Sequence, residues 1–169
     1  MALEEYFRGE NMFHKMRRFK QAVPETECKK ILTEAKRGTF SVIGNDGYPY
    51  TLPLNFYFDE NDNRIYFHGA KEGHKVDAIM NCDKVCFTTW NTGFKKAGCW
   101  EWNVTSVIVF GRAKIVKDRD MTEDIVRKLA IKYYPTKEEV EEELARAIDK
   151  VQLFTIDIEH MTGKLVNER

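Results

Sequence analysis

The sequence predicts a mainly β fold, an antiparallel barrel with peripheral helices, on three observations. Six runs rich in β-branched and aromatic residues follow one another, most joined by short turn-forming stretches such as "NDGY" at 45–48. Helical periodicity is limited to one early segment, one short central segment and a late block at 117–150. Regular strand–helix alternation is missing, and so is any G-x-G-x-x-G or Walker-type loop. A parallel dinucleotide or NTP fold is therefore not expected.

Residues 1–23 are polar with scattered aromatics and no clean period, and read as an arm that packs on the domain or on a partner subunit. Pro24 suits a first helical position. Cys28, Ile31, Leu32 and Ala35 then fall at i, i+3, i+4 and i+7, with Gly38 as the expected C-terminal cap. Strands are expected at 39–44, 49–59 and 64–69, and Pro49 and Pro53 argue for an edge or bulge in the second. A short helix at about 73–81 carries Val76, Ile79 and Met80 on one face. The stretch 84–90 is a fourth strand, 91–103 a long loop, and 104–116 a fifth strand interrupted by Gly111. The helical block 117–150 starts with Asp120 as N-cap and Glu123 three residues on. Ile125, Val126, Leu129 and Tyr133 form its stripe, and Pro135 ends it. "TKEE" at 136–139 is a capping box for a second helix with Val140, Leu144 and Ile148. A last strand at 151–164 completes a single domain over 1–169.

Composition narrows the function classes. Lys plus Arg (27) equals Asp plus Glu (27), so no overall field favours nucleic acid or an anionic membrane. No apolar run approaches the roughly 20 residues that span a bilayer, and the N-terminus lacks a signal-peptide pattern. Cys28, Cys82, Cys86 and Cys99 are irregularly spaced, with no zinc-ligand set. Reduced thiols in a cytoplasmic protein are expected. Neither His14, His68, His74 nor His160 pairs with carboxylates at metal-ligand spacing, so no metal is expected. A nucleophile elbow is also missing.

The stretch "RIYFHGAKEGHK" at 64–75 carries the most chemistry. Alternation along a strand places Ile65 and Phe67 on one side and Arg64, Tyr66 and His68 on the other. Gly69, Ala70 and Gly73 either turn the corner or let the backbone approach a ligand. Lys71, His74 and Lys75 then stand at a helix start, where the dipole disfavours cations. Either they are a solvated face or they bind an anion such as phosphate together with the free N–H groups of that helix start. Phe94, Trp100 and Trp102, with Lys95 and Lys96, lie in the 91–103 loop, to cap a flat ligand or to pack on the barrel or a partner.

Taken in order, "MRRFKQAV", "GTFSVIGNDGYPYTLPLNFYF", "RIYFHGAKEGHKVDAI", "KVCFTTW" and "SVIVFGRAKIV" resemble the flavin-binding split-barrel proteins related to pyridoxamine 5′-phosphate oxidase. Within that group the chain looks most like the nitroimidazole-resistance branch, over residues 16 to 116 and again near 160. The resemblance implies a split β-barrel homodimer with FMN at the subunit interface. It implies that Lys71, Gly73, His74 and Lys75 lie near the FMN phosphate. Thr51, Pro53, Leu54 and Asn55 would run along the ring or ribityl chain, and Tyr66 and His68 would join the cofactor site. His68 would orient a small-molecule substrate or donate a proton, and Ser106 would approach the flavin from the other subunit. The expected activity is an FMN-dependent oxidoreductase reducing small nitroaromatics such as 5-nitroimidazoles. Alternatives are a pyridoxamine 5′-phosphate oxidase-like or other flavin enzyme, or a flavin-storing protein without turnover.

Overall fold

The computed structural model describes residues 13–167, so residues 1–12 of the expected arm lie outside the described residues. The rest of the arm packs on the domain. A 3₁₀ turn at Phe19–Gln21 leads into β1 (Ala22–Val23), which pairs with the last strand through Val23 and Gly163. Helix α1 (Glu25–Glu34) follows Pro24 and buries Cys28, Ile31 and Leu32, the stripe expected from their spacing. Gly38 is not its cap. The helix closes with the Ala35 N–H on the Ile31 carbonyl at 2.8 Å. Gly38 lies inside β2 (Arg37–Ile43), where a Cβ would strike the Phe87 ring.

The remaining strands are β3 (Pro49–Asn55), β4 (Tyr57–Asp59), β5 (Arg64–Gly69), β6 (Lys84–Trp90), β7 (Phe94–Lys95), β8 (Trp102–Val116) and β9 (Gln152–Asn167). The main sheet runs β3-β2-β6-β8-β9-β5-β4, every pair antiparallel. Its two edges, β3 and β4, are neighbours in sequence, separated only by Phe56. The single strand expected at 49–59 is thus two strands broken at that residue, and the break is the split in the barrel. α3 (Arg119–Ile131) delivers the groups that satisfy it. The Tyr133 hydroxyl, just beyond α3, accepts from the Phe56 N–H at 3.1 Å and lies against the Lys36 and Phe56 carbonyls. Lys132 donates to the Ala35 carbonyl at 2.6 Å. Unpaired backbone groups at this seam would otherwise carry a desolvation penalty.

Burial alternates along β2 and β6, so Phe40, Val42, Val85 and Phe87 point inward. They meet Phe56, Phe58, Ile65, Phe67, Val107, Val109, Phe154 and Ile156 in the barrel core. Phe67 lies between Phe154 (ring centroids 5.1 Å apart) and Phe40 (4.7 Å). Each such ring contributes roughly 1.5–3 kcal/mol by burial. α2 (His74–Asn81) caps one end of the barrel through Val76, Ala78 and Ile79; Met80, expected on that face, is exposed.

α3 and α4 (Lys137–Ala147) form a hairpin that packs on the other face of the β5–β9 sheet. There Ile125, Val126, Ala130, Val140 and Leu144 meet Tyr66 and Leu153. The N-cap of α3 is Asp118, whose carboxylate accepts from the Met121 N–H at 2.9 Å; Asp120 sits in the first turn. Thr136 and Glu139 form the expected capping box. The 91–103 segment is not wholly loop, because β7 pairs with the start of β8. The interruption foreseen at Gly111 is a register shift between Phe110 and Gly111 against β9.

Candidate functional site

The site is built where β5 ends and α2 begins. Gly73 takes a positive φ of 120°, a conformation that favours glycine, and nothing lies within 4 Å of where its Cβ would stand. Among the described residues no side chain caps α2, and its first intrahelical bonds run from Val76 and Asp77 to the Gly73 carbonyl. The N–H groups of His74 and Lys75 therefore remain available for an anion.

Lys75 folds back over the barrel rim. Its Nζ lies 5.2 Å from the Phe154 ring centroid and 5.9 Å from that of Phe67. It occupies the space a side chain at position 69 would fill, which explains why Gly69 ends β5. Burial lowers the Lys75 pKa. Among the described residues no carboxylate lies within 4 Å of this ammonium. A half-buried cation without a counter-ion beside open N–H groups has the donor set that a phosphate monoester requires. The residues present thus fit the phosphate end of a flavin mononucleotide.

His74 behaves differently from Lys75. Its ring stacks on Tyr50 (centroids 4.2 Å, planes 19° apart) and its Nε2 lies against Gly44, which fastens α2 to the β2–β3 hairpin. Lys71 is exposed.

Thr51, Pro53 and Asn55 share the exposed face of β3, whereas Leu54 turns to the core side with Tyr50 and Leu52. The Thr51 and Ser41 hydroxyls are 2.8 Å apart. Across the sheet this face continues through Thr39, Cys86 and Thr88 to Ile108 and Phe110. It is a broad strip of small residues bordered by exposed apolar ones, with Ile108 at 37% and Phe110 at 39% exposure. Ser106 is on the same face but three strands from β3, at least about 14 Å away at normal strand spacing. Ser106 and Thr51 of one chain therefore cannot both touch one end of a ligand.

Two expectations for β5 separate in the structure. Tyr66 is fully buried between the sheet and the α3–α4 hairpin, its hydroxyl donating to Asp62 at 2.5 Å. Burial first and then this bond push the phenol up to about 12. Tyr66 is thus a core residue rather than a cofactor contact. His68 lies on the same side of the strand, opposite Lys75. Its ring lines a cavity of about 240 Å³ together with Asn55 and the helices α3 and α4. Its edge is solvent-accessible through that recess, yet surrounding protein desolvates it. Burial and, secondarily, the Lys75 charge lower its pKa below the ordinary 6.5, so the imidazole is neutral at pH 7.

Sequence reasoning missed Lys132 and Tyr133 as the seam-closing pair and missed the cavity. The only local sign was a lysine and a tyrosine at the end of an otherwise apolar helical stripe before Pro135.

A family model described as pyridoxamine 5′-phosphate oxidase matches residues 24–165, most of the chain and every strand of the main sheet. The chain belongs to this family. The split β-barrel expected of pyridoxamine 5′-phosphate oxidase relatives is the fold observed, and solved structures agree. A proposed 5-nitroimidazole antibiotic resistance protein from Bacteroides thetaiotaomicron superposes with a TM-score of 0.71 at 19% identity, covering 86% of this chain and 87% of that one. An FAD-binding protein from Mesorhizobium loti gives 0.62 at 22% identity, covering 86% and 96%. A flavocytochrome from Azotobacter vinelandii gives 0.74 at 23% identity, covering 93% and 74%. No curated protein matches the chain in sequence. Among the described residues no helix is long and apolar enough to cross a membrane, and no three His, Cys, Asp or Glu side chains cluster for a metal.

Proposed function

We propose that this member of the pyridoxamine 5′-phosphate oxidase family binds FMN and works as a flavin-dependent oxidoreductase on small nitroaromatics such as 5-nitroimidazoles. The observation that carries the reading is Lys75, a desolvated ammonium with no carboxylate within 4 Å among the described residues, beside the uncapped start of α2. Lys75 and the His74 and Lys75 N–H groups hold the phosphate, with Lys71 adding long-range charge. The Thr51–Pro53–Asn55 edge and the small side chains of β2 and β6 offer a flat surface for a ring system. Bound flavin supplies the hydride and electron chemistry that no side-chain constellation here provides. His68, neutral at pH 7, orients the substrate by a hydrogen bond and holds or releases a proton at its ring nitrogen.

The protein is proposed to work as a cytoplasmic homodimer. Ile108 and Phe110 form an apolar patch on the face that carries Ser106, and the distance between Ser106 and Thr51 suits a flavin shared between two chains. The relatives described as an FAD-binding protein and as a nitroimidazole resistance protein support flavin binding and the substrate class respectively.

The test is direct. Purified protein should be yellow and release FMN, identified by mass; protein that stays colourless with added FMN rejects the reading. Reduced anaerobically and mixed with a 5-nitroimidazole, it should reoxidise. Flavin that remains reduced would favour storage or another substrate. His68→Ala should keep the flavin and slow this reoxidation by roughly 10²–10⁴-fold if His68 transfers the proton.

A further inference from the structure

The cavity behind β5 takes no part in the proposed flavin phosphate binding, and it is walled by the α3–α4 hairpin, whose end also carries the seam-closing Lys132 and Tyr133. Its walls include Val126, Leu129, Leu144 and Ala147; Tyr133, Tyr134 and Glu143 also line it, and so do the His68 imidazole and the Asn55 amide. Among the described residues neither of the last two side chains has a hydrogen-bond partner. Convergent polar groups in an apolar recess are what a small-molecule site requires. The volume of about 240 Å³ lies below the roughly 300–1,000 Å³ typical of drug-sized ligands. It exceeds the roughly 150 Å³ that accepts benzene in an engineered apolar cavity. One substituted ring fits.

Charge narrows the class further. Glu143 reaches the lining, but Arg146 pairs with it at 2.5 Å, so the pair presents no net charge. Among the described residues no Lys or Arg lines the recess, and Lys75 points to the opposite face of β5. A charged ligand would lose its hydration without gaining a counter-ion. We propose that the cavity between β5 and the α3–α4 hairpin binds a small uncharged ring compound, hydrogen-bonded by His68 and Asn55 and selected in size by the two helices. That the occupant is also the molecule reduced rests on the flavin reading above; the binding does not.

The experiment titrates the full chain with three isosteres, benzamide, benzoate and benzylammonium, followed by ¹H–¹⁵N NMR. Benzamide should shift the signals of His68, Ala130 and Ala147, and the two charged probes should bind about tenfold more weakly. Equal binding of all three, or benzamide shifts confined to other faces, overturns the proposal. Ala147→Phe fills the recess and should abolish the benzamide shifts. If that variant does not fold, Ala147→Leu should weaken binding about fivefold, and unchanged affinity in whichever variant folds is contrary to the proposal. Lys75→Ala separates the two readings. Benzamide affinity kept in that variant supports an independent cavity, and its loss overturns it; flavin retained there instead counts against the phosphate assignment alone.

Discussion

Lys75 and His68 are seven residues apart, and their surroundings give them opposite characters. The ammonium is desolvated, with aromatic rings beneath it and, among the described residues, no carboxylate beside it. The imidazole is desolvated and neutral, so it is suited to hydrogen bonding rather than to ion pairing. A charge-assisted bond to phosphate is worth about 1.5–3 kcal/mol. Lys75→Ala should therefore weaken FMN binding by roughly 10- to 150-fold, read by flavin fluorescence titration, while Lys71→Ala, exposed, should change it only severalfold. Equal effects of the two substitutions would remove Lys75 from its central place. Residue types and spacing had brought out Lys71, His74 and Lys75 as one group. The stacking of His74 on Tyr50 is invisible in sequence, because Tyr50 is a strand residue 24 positions away whose approach depends on how α2 docks.

At the scale of elements, most boundaries were legible because strand alternation and helix periodicity are local. The capping box at Thr136 and Glu139 was legible for the same reason. The start of α3 was not, since Asp118 and Asp120 both suit an N-cap and the choice depends on where β8 releases the chain. Asp118→Ala should cost about 1 kcal/mol of stability and Asp120→Ala only a few tenths, measured by urea unfolding; the reverse order would place the cap at Asp120. The break at Phe56 was likewise hidden. Pro53 hinted at an irregular strand, but the split needs Tyr133 and Lys132, about 77 residues on, to satisfy the freed backbone.

For the whole molecule, the seam has a signature in its pH dependence. Burial first, and then Lys36, lower the Lys132 pKa to about 8 from 10.5. Between those values the unfolded chain binds more protons than the folded one, so stability on this account rises from pH 8 toward 10.5, and below pH 8 the penalty is fully present. Wild type should therefore gain stability relative to Lys132→Met between pH 7.5 and 9.5, by thermal melts in matched buffers. A difference that does not move with pH would show Lys132 to be solvated. The proposed dimer can be tested at the same scale. Ile108→Lys, on the exposed face, should give a monomer by light scattering with the fold kept and flavin retention reduced; a dimer of unchanged stability would move the interface elsewhere.

Local order and chemistry were determined by the sequence alone. The order of the main strands, the apolar stripes of the helices and the cationic, glycine-rich turn after β5 all follow from period and residue type, whereas β1, β7 and the break between β3 and β4 do not. Tertiary structure decided what each of those groups meets. Tyr66 and His68 share one side of a strand, yet the first is sealed under helices and the second opens into a recess. Leu54 and Thr51 lie three residues apart on opposite faces. Lys75 is half-buried over Phe67 and Phe154, and among the described residues no distant carboxylate folds back to it, which is what supports its proposed binding role. Such environments arise from contacts between segments far apart in the chain, and no pattern within a window of a dozen residues encodes them.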